Sequence, residues 1–148
     1  MQLHMTLPGV SLVAQTLVSS INYCQITNVG LLSGFNTTDY KNTTWDQVKG
    51  FLISNGVLAY GKSLSITRDN NLLTFGIDIP KEVKILKPIT GIIVIAMGNI
   101  ESNLENVYVQ TTSQTETVFA LSTFPGKEKP NWRSLQFGVK LDVLGSNF

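Results

Sequence analysis

The chain has 148 residues, a net charge of +1 and 14% charged residues, against roughly 25% in ordinary soluble domains. That is the length of one domain able to bury a core of its own, and a hydrophobic content of 43% argues against a disordered chain. One cysteine, Cys24, and one histidine, His4, exclude an internal disulfide framework, a Cys-pair zinc site and a two-histidine metal site.

Ser, Thr and Asn together make about a quarter of the chain. A surface made polar by hydroxyls and amides gives little long-range repulsion between copies. That suits a protein packed against neighbours or working outside a cell. The lysines are scattered, with the densest group at Lys81, Lys84 and Lys87 around Glu82. No basic stripe for tracking phosphates is legible, so no nucleic-acid partner is expected. Met1 to Leu7 carries no basic n-region followed by an apolar stretch, which predicts no signal peptide. Ile92 to Met97 is too short to span a bilayer, so no membrane insertion is expected. The expected route is synthesis in the cytoplasm, with virion assembly as the way out of a cell.

In chain order, Gln2 to Leu7 alternates, with Leu3, Met5 and Leu7 on one face and Gln2, His4 and Thr6 on the polar one. This predicts a strand stopped by Pro8-Gly9. Val10, Val13, Ala14, Leu17 and Ile21 fall at helical spacing, although Val, Ser and Thr there also fit a strand; helix is the preferred reading. Tyr23 to Ile26 is a short strand. Asn28 to Thr44, with Gly30, Gly34, Asn36, Asp39, Asn42 and four threonines, is a loop. Asn36-Thr37-Thr38 and Asn42-Thr43-Thr44 match the glycosylation acceptor pattern. They are read as turn chemistry, because Asn and Thr side chains bond the local backbone. Thr44 and Gln47 form a capping box for a short helix with Trp45, Val48 and Leu52 on its core face, stopped at Gly56.

From Val57 onward the chain reads as strands. Leu64 to Arg68 and Leu73 to Ile79 form a hairpin around Asp69-Asn70-Asn71, ended by Pro80. The β-branched run Ile92 to Ala96 predicts a strand buried on both faces. Val107 to Thr112 and Thr117 to Thr123 are another strand pair. Leu135, Phe137, Val139, Leu141 and Val143 alternate with polar residues and glycine, the signature of a half-buried last strand. Strands in series without intervening helices pair antiparallel. The predicted fold is mainly β: an antiparallel β-sandwich or barrel with one or two short helices, residues 1–148 forming a single domain.

Catalytic motifs are missing from this pattern. A serine-hydrolase triad needs a base such as His4 beside a nucleophile elbow, and no Gly-x-Ser-x-Gly occurs. Cys24 is read as a small buried hydrophobe. Gly56, Gly61, Lys62 and Ser63 complete the string of a phosphate-binding loop. A helix precedes it and a hairpin strand follows, so the match is read as chance and no cofactor is expected. Asp69-Asn70-Asn71 lacks the Gly and Glu of a calcium loop and reads as a turn, so no metal is expected. Two carboxylates could still meet across a cleft, which keeps a small carboxylate-dependent hydrolase as a remote alternative.

Two aromatic side chains are candidate contacts for a ligand or partner: Trp132, after Pro125 to Asn131, and Tyr40 in the long loop. The preferred reading of Trp132 is a ring packed over the end of the barrel, anchoring the last strand; the other is a stacking platform for a sugar. In composition and architecture the chain resembles small phage virion proteins, rich in Asn and Thr, low in charge and built of strands. That resemblance implies a non-catalytic structural or attachment protein (capsid, head-decoration, tail or fibre), working as a homo-oligomer with other virion proteins. A carbohydrate-binding module that meets a surface glycan is the alternative.

Overall fold

The run Ile92-Ile93-Val94-Ile95-Ala96 lies at the centre of the molecule, in strand β6 (Ile89–Asn99), and all five side chains are buried. Ile92, Val94 and Ala96 enter one apolar cluster and Ile93 and Ile95 a second, on the opposite face. This is the two-faced burial that an unbroken β-branched run demands. The computed structural model describes residues 1–18, 24–61, 63–99 and 114–143.

β6 belongs to a five-stranded sheet whose spatial order is β1 (His4–Met5), β7 (Gln114–Lys127), β6, β2 (Cys24–Leu32), β3 (Leu52–Ala59). A three-stranded sheet, β4 (Leu64–Asp69), β5 (Leu72–Ile79), β8 (Leu135–Asp142), faces it. Every pairing within the sheets is antiparallel. Two helices accompany them, α1 (Leu7–Val18) and α2 (Trp45–Val48), the latter running into a 3-10 turn at Lys49–Phe51. The mainly β, sandwich-like fold with two short helices agrees with the sequence pattern.

The main core lies between the sheets. Val29, Leu31, Ile92 and Val94 from the larger meet Phe75, Ile77, Val139 and Leu141 from the smaller. Each such side chain stabilises the fold by about 1.5–3 kcal/mol through burial. The second cluster covers the other face of the larger sheet, where Ile93, Ile95, Val118 and Leu121 lie under Val48, Trp45, Tyr40 and Phe35. Trp45 therefore packs on a core face, as its helical spacing predicts.

The N-terminal segment sews the sheets together along one side. Leu3 N–H donates to the Lys140 carbonyl at 2.8 Å and Lys140 N–H to the Met1 carbonyl at 3.1 Å. The next two residues, His4 and Met5, pair with Leu121 and Ala120 of β7. One short stretch thus borders β8 in the smaller sheet and β7 in the larger.

Several predicted boundaries are corrected. The strand predicted from Gln2 to Leu7 pairs as a strand only at His4–Met5, because Leu7 opens α1 and is exposed, while Thr6 is fully buried. Thr6 caps the helix: its Oγ1 accepts the Gly9 N–H at 3.0 Å, and its carbonyl accepts the Val10 N–H at 3.0 Å. The helix preferred from Val10 exists, but its buried stripe runs through Gly9 and Leu12, and Val10 is exposed. The loop predicted from Asn28 begins at Ser33, because β2 continues to Leu32. Gly30 sits inside that strand, where a Cβ would stand 2.6 Å from Leu52 Cδ2. Gly56 ends no helix; it lies within β3, against Ile53 and Leu31. β7 extends through Pro125 and Gly126, which an irregularity opposite Ile89 and Gly91 absorbs. The strand predicted over Val107 to Thr112 lies outside the described residues.

Turn chemistry governs 33–44 as predicted. Asn42 Nδ2 donates to the Asp39 carboxylate at 3.0 Å, Asp39 N–H to Thr37 Oγ1 at 3.0 Å, and Thr43 Oγ1 to the Asp39 carbonyl at 2.9 Å. Gln47 Oε1 accepts the Thr44 N–H at 3.0 Å, one arm of the predicted capping box. The hairpin turns on Asn70-Asn71, with Asn70 at φ 54°, a conformation Asn tolerates.

Candidate functional site

Tyr40 belongs to the scaffold. Its ring lies flat against His4, centroids 4.3 Å apart and planes 7° from parallel. Its hydroxyl is 3.4 Å from Thr123 Oγ1, which in turn lies 3.1 Å from both Asn36 Oδ1 and the Thr37 carbonyl. Together these contacts pin the 33–44 loop over the second core cluster. Desolvation of the partly buried His4 imidazole lowers its pKa below the ordinary value.

Trp132 is the reverse case. Packing over the barrel end is overturned, because the ring is 75% exposed. The Arg133 guanidinium lies over it, 5.0 Å from the ring centroid, a cation–π contact. The ring projects from the 128–134 loop between β7 and β8. Beside that loop runs 80–88, between β5 and β6; its Ile85 is buried in the main core while Leu86 is 86% exposed.

Lys129 fastens the two loops. It is only 5% exposed, and its ammonium donates to the carbonyls of Lys81 at 3.4 Å, Pro130 at 3.1 Å and Arg133 at 3.3 Å. A buried ammonium needs such acceptors, since an unmet charge away from water is costly. Lys84 Nζ adds a bond to the Asn131 carbonyl at 3.1 Å, and Asn55 Nδ2 ties the Lys84 carbonyl to β3 at 2.6 Å. The loop end is therefore a braced platform presenting Trp132 and Leu86 among exposed cations.

Folding also assembles a charge pattern that the linear sequence hides. Lys81, Lys84 and Lys87 share this end with Lys127, Lys129 and Arg133. Glu82 and Glu128 are the acids within the same two segments, and none of these cations forms an ion pair among the described residues. Sequence reasoning singled out Trp132 and missed Lys129, whose partners are scattered over residues 81 to 133.

The outward face of the smaller sheet is a second feature. Ser65, Gly76 and Gly138 stand side by side across β4, β5 and β8, with Asp78 beside Gln136 in the next row. These residues line a shallow groove, and Asp78 Oδ1 is buried there without a hydrogen-bond partner among the described residues. The phosphate-loop string has the wrong surroundings: Gly56 lies in β3, Ser63 precedes β4, and Lys62 lies outside the described residues. Among the described residues no three His, Cys, Asp or Glu side chains gather as a metal site. No helix among them is long and apolar enough to cross a membrane. No family model matches the chain, and no curated protein or solved structure matches it either.

Proposed function

We propose that the protein is a non-catalytic structural or attachment component of a virus particle, of the phage type, that works as a homo-oligomer and meets its surroundings through the braced loop end. The observation that carries this reading is the edge strand β3. It lies at the border of the larger sheet, and its eight residues include no charge and no proline. Val57 on that strand is 46% exposed, and Tyr60 just after it is exposed as well. Natural sheets blunt exposed edges with lysine, proline or bulges, because an open row of N–H and C=O groups recruits another strand. β3 carries one such device, an irregularity between Leu52 and Val57; the stretch beyond it, Val57 to Ala59, has neither lysine nor proline and fits a protein that lives beside copies of itself. The low overall charge agrees, since copies repel weakly.

Light scattering over a range of concentrations tests this reading. The wild-type chain should form a defined oligomer, and Val57→Lys should shift it to the monomer with its melting point nearly unchanged. Antibodies to the protein should label purified particles. A strictly monomeric wild-type protein that no particle contains would overturn it.

A further inference from the structure

We propose that the loop end binds an acidic polysaccharide, with one pyranose ring stacked on Trp132 and acid groups on neighbouring sugars held by Lys84, Lys87 and Arg133. The proposal rests on the attachment role above and names its ligand class. Trp132 offers a flat, exposed indole. The Arg133 guanidinium covers one face of that ring, so a sugar stacks on the opposite face with this cation across the indole from it.

Charge chooses between acidic and neutral sugars. The two loops and the end of β7 hold Lys81, Lys84, Lys87, Lys127, Lys129 and Arg133, six of the eleven cations in the chain, with Glu82 and Glu128, two of its ten acids. The rest of the chain then carries five cations and eight acids, a balance of −3 within a total of +1. The positive field is thus confined to the end where the indole stands, and no carboxylate pairs with its cations among the described residues.

The same confinement argues against nucleic acid. A nucleic-acid strand presents a continuous phosphate backbone and calls for a basic track along the protein. Here the cations concentrate in two segments, and the rest of the chain carries more acids than bases. A polysaccharide that offers an apolar sugar face next to its acid groups matches one ring flanked by a few cations. Bracing by Lys129 reduces the ordering cost of binding.

Affinity electrophoresis in gels containing alginate, hyaluronan, neutral dextran or oligothymidylate tests the proposal. At least one of the two acidic polymers should retard the wild-type protein, and neutral dextran should not. Trp132→Ala should weaken that retardation about tenfold or more, the scale of a lost anchor residue. Lys87→Gln and Arg133→Gln should each weaken it several-fold, while Lys140→Gln, on the smaller sheet, should leave it unchanged. Melting points should stay at the wild-type value throughout. The proposal fails if neither acidic polymer binds, if oligothymidylate binds more tightly than both, or if Trp132→Ala binds like wild type. It also fails if Lys140→Gln matches Lys87→Gln, which would mean ion exchange without a site. The scattering measurement with Val57→Lys is independent: a monomer that binds alginate removes the assembly role and leaves this site standing, and an oligomer that binds neither polymer does the opposite.

Discussion

The backbone of Gly9 lies against the carbonyl group of Phe119, so close that a Cβ on Gly9 would stand 2.4 Å from that oxygen. The contact seats the first turn of α1 on a bulge in β7. Opposite the neighbouring residues Val94 and Ile95 of β6 stand Ala120 and Val118, with Phe119 extra between them. The bulge leaves carbonyls to be met, and Thr6 meets them: its N–H donates to Phe119 O at 3.1 Å and its hydroxyl to Val118 O. Gly9→Ala should therefore cost about 1–3 kcal/mol, as overpacking against unyielding backbone does. Gly50→Ala, with nothing within 4 Å, should be near neutral. Thermal melts of the two variants check this, and equal melting points would contradict the docking described.

Thr6→Val tests the hydroxyl itself at nearly constant volume. It removes the bond to Val118 O and the acceptor for Gly9 N–H inside a fully buried position. The expected loss is about 1–3 kcal/mol, the penalty for leaving a buried polar group unmet. Urea midpoints of wild type and variant measure it.

The last strand separates core from surface. Leu141 is fully buried, so Leu141→Ala should cost about 2–5 kcal/mol. Phe137 is only partly buried, with Lys127 Nζ 5.2 Å from its ring centroid. Phe137→Ala should accordingly cost less than the roughly 3–5 kcal/mol of a fully buried ring. Lys140→Ala should leave the melting point unchanged, because this residue joins the N-terminal seam through its backbone alone among the bonds described. A clear loss on Lys140→Ala would assign its side chain a role in the fold or in an interface.

Lys129→Met should loosen the loop end selectively. Three carbonyls lose their donor while the strands keep their ladders. Hydrogen exchange should rise in 80–88 and 128–134 and stay near wild type in β5 and β6. Uniformly faster exchange would mean that the lysine supports the whole fold.

Acid should act through His4. Desolvation lowers its pKa in the folded chain, whereas an unfolded histidine titrates near about 6.5. As pH falls, the unfolded chain takes up the proton first, so stability declines below about pH 6.5 and levels off once the folded form also protonates. His4→Gln should flatten that decline, seen by comparing urea midpoints at about pH 8 and about pH 5. Parallel declines in the two proteins would remove His4 as the cause.

Elements with a long, regular side-chain rhythm were legible before any coordinates: β5, β6, β8 and the Thr44–Gln47 cap. Those misread turn on residues whose local preference lost to packing. Gly30 and Gly56 look like punctuation, yet both stand within strands, where Leu52 and Leu31 crowd the places a Cβ would take. Thr6 sat on the polar side of a short alternation, but a bulge formed by residues more than a hundred positions away needed its hydroxyl. At the loop end, Trp132 could be named from its neighbours. Its exposure depends on how 80–88 and 128–134 meet, and Lys129 finds its three acceptors only after β5, β6, β7 and β8 have formed.

The seam made by Met1, Leu3, His4 and Met5 has a consequence for the order in which the chain folds. This segment leaves the ribosome more than a hundred residues before Leu121, Ala120 and Lys140, which it binds. Until then the opening segment has no strand to join, and closing so long a loop is entropically costly. This seam can therefore close only after β8 has been translated, and such long-range pairing places refolding toward the slow, millisecond-to-second end of single-domain rates. In the cell, the Met1–Met5 segment waits while the intervening strands are made, and it joins β7 and β8 after them.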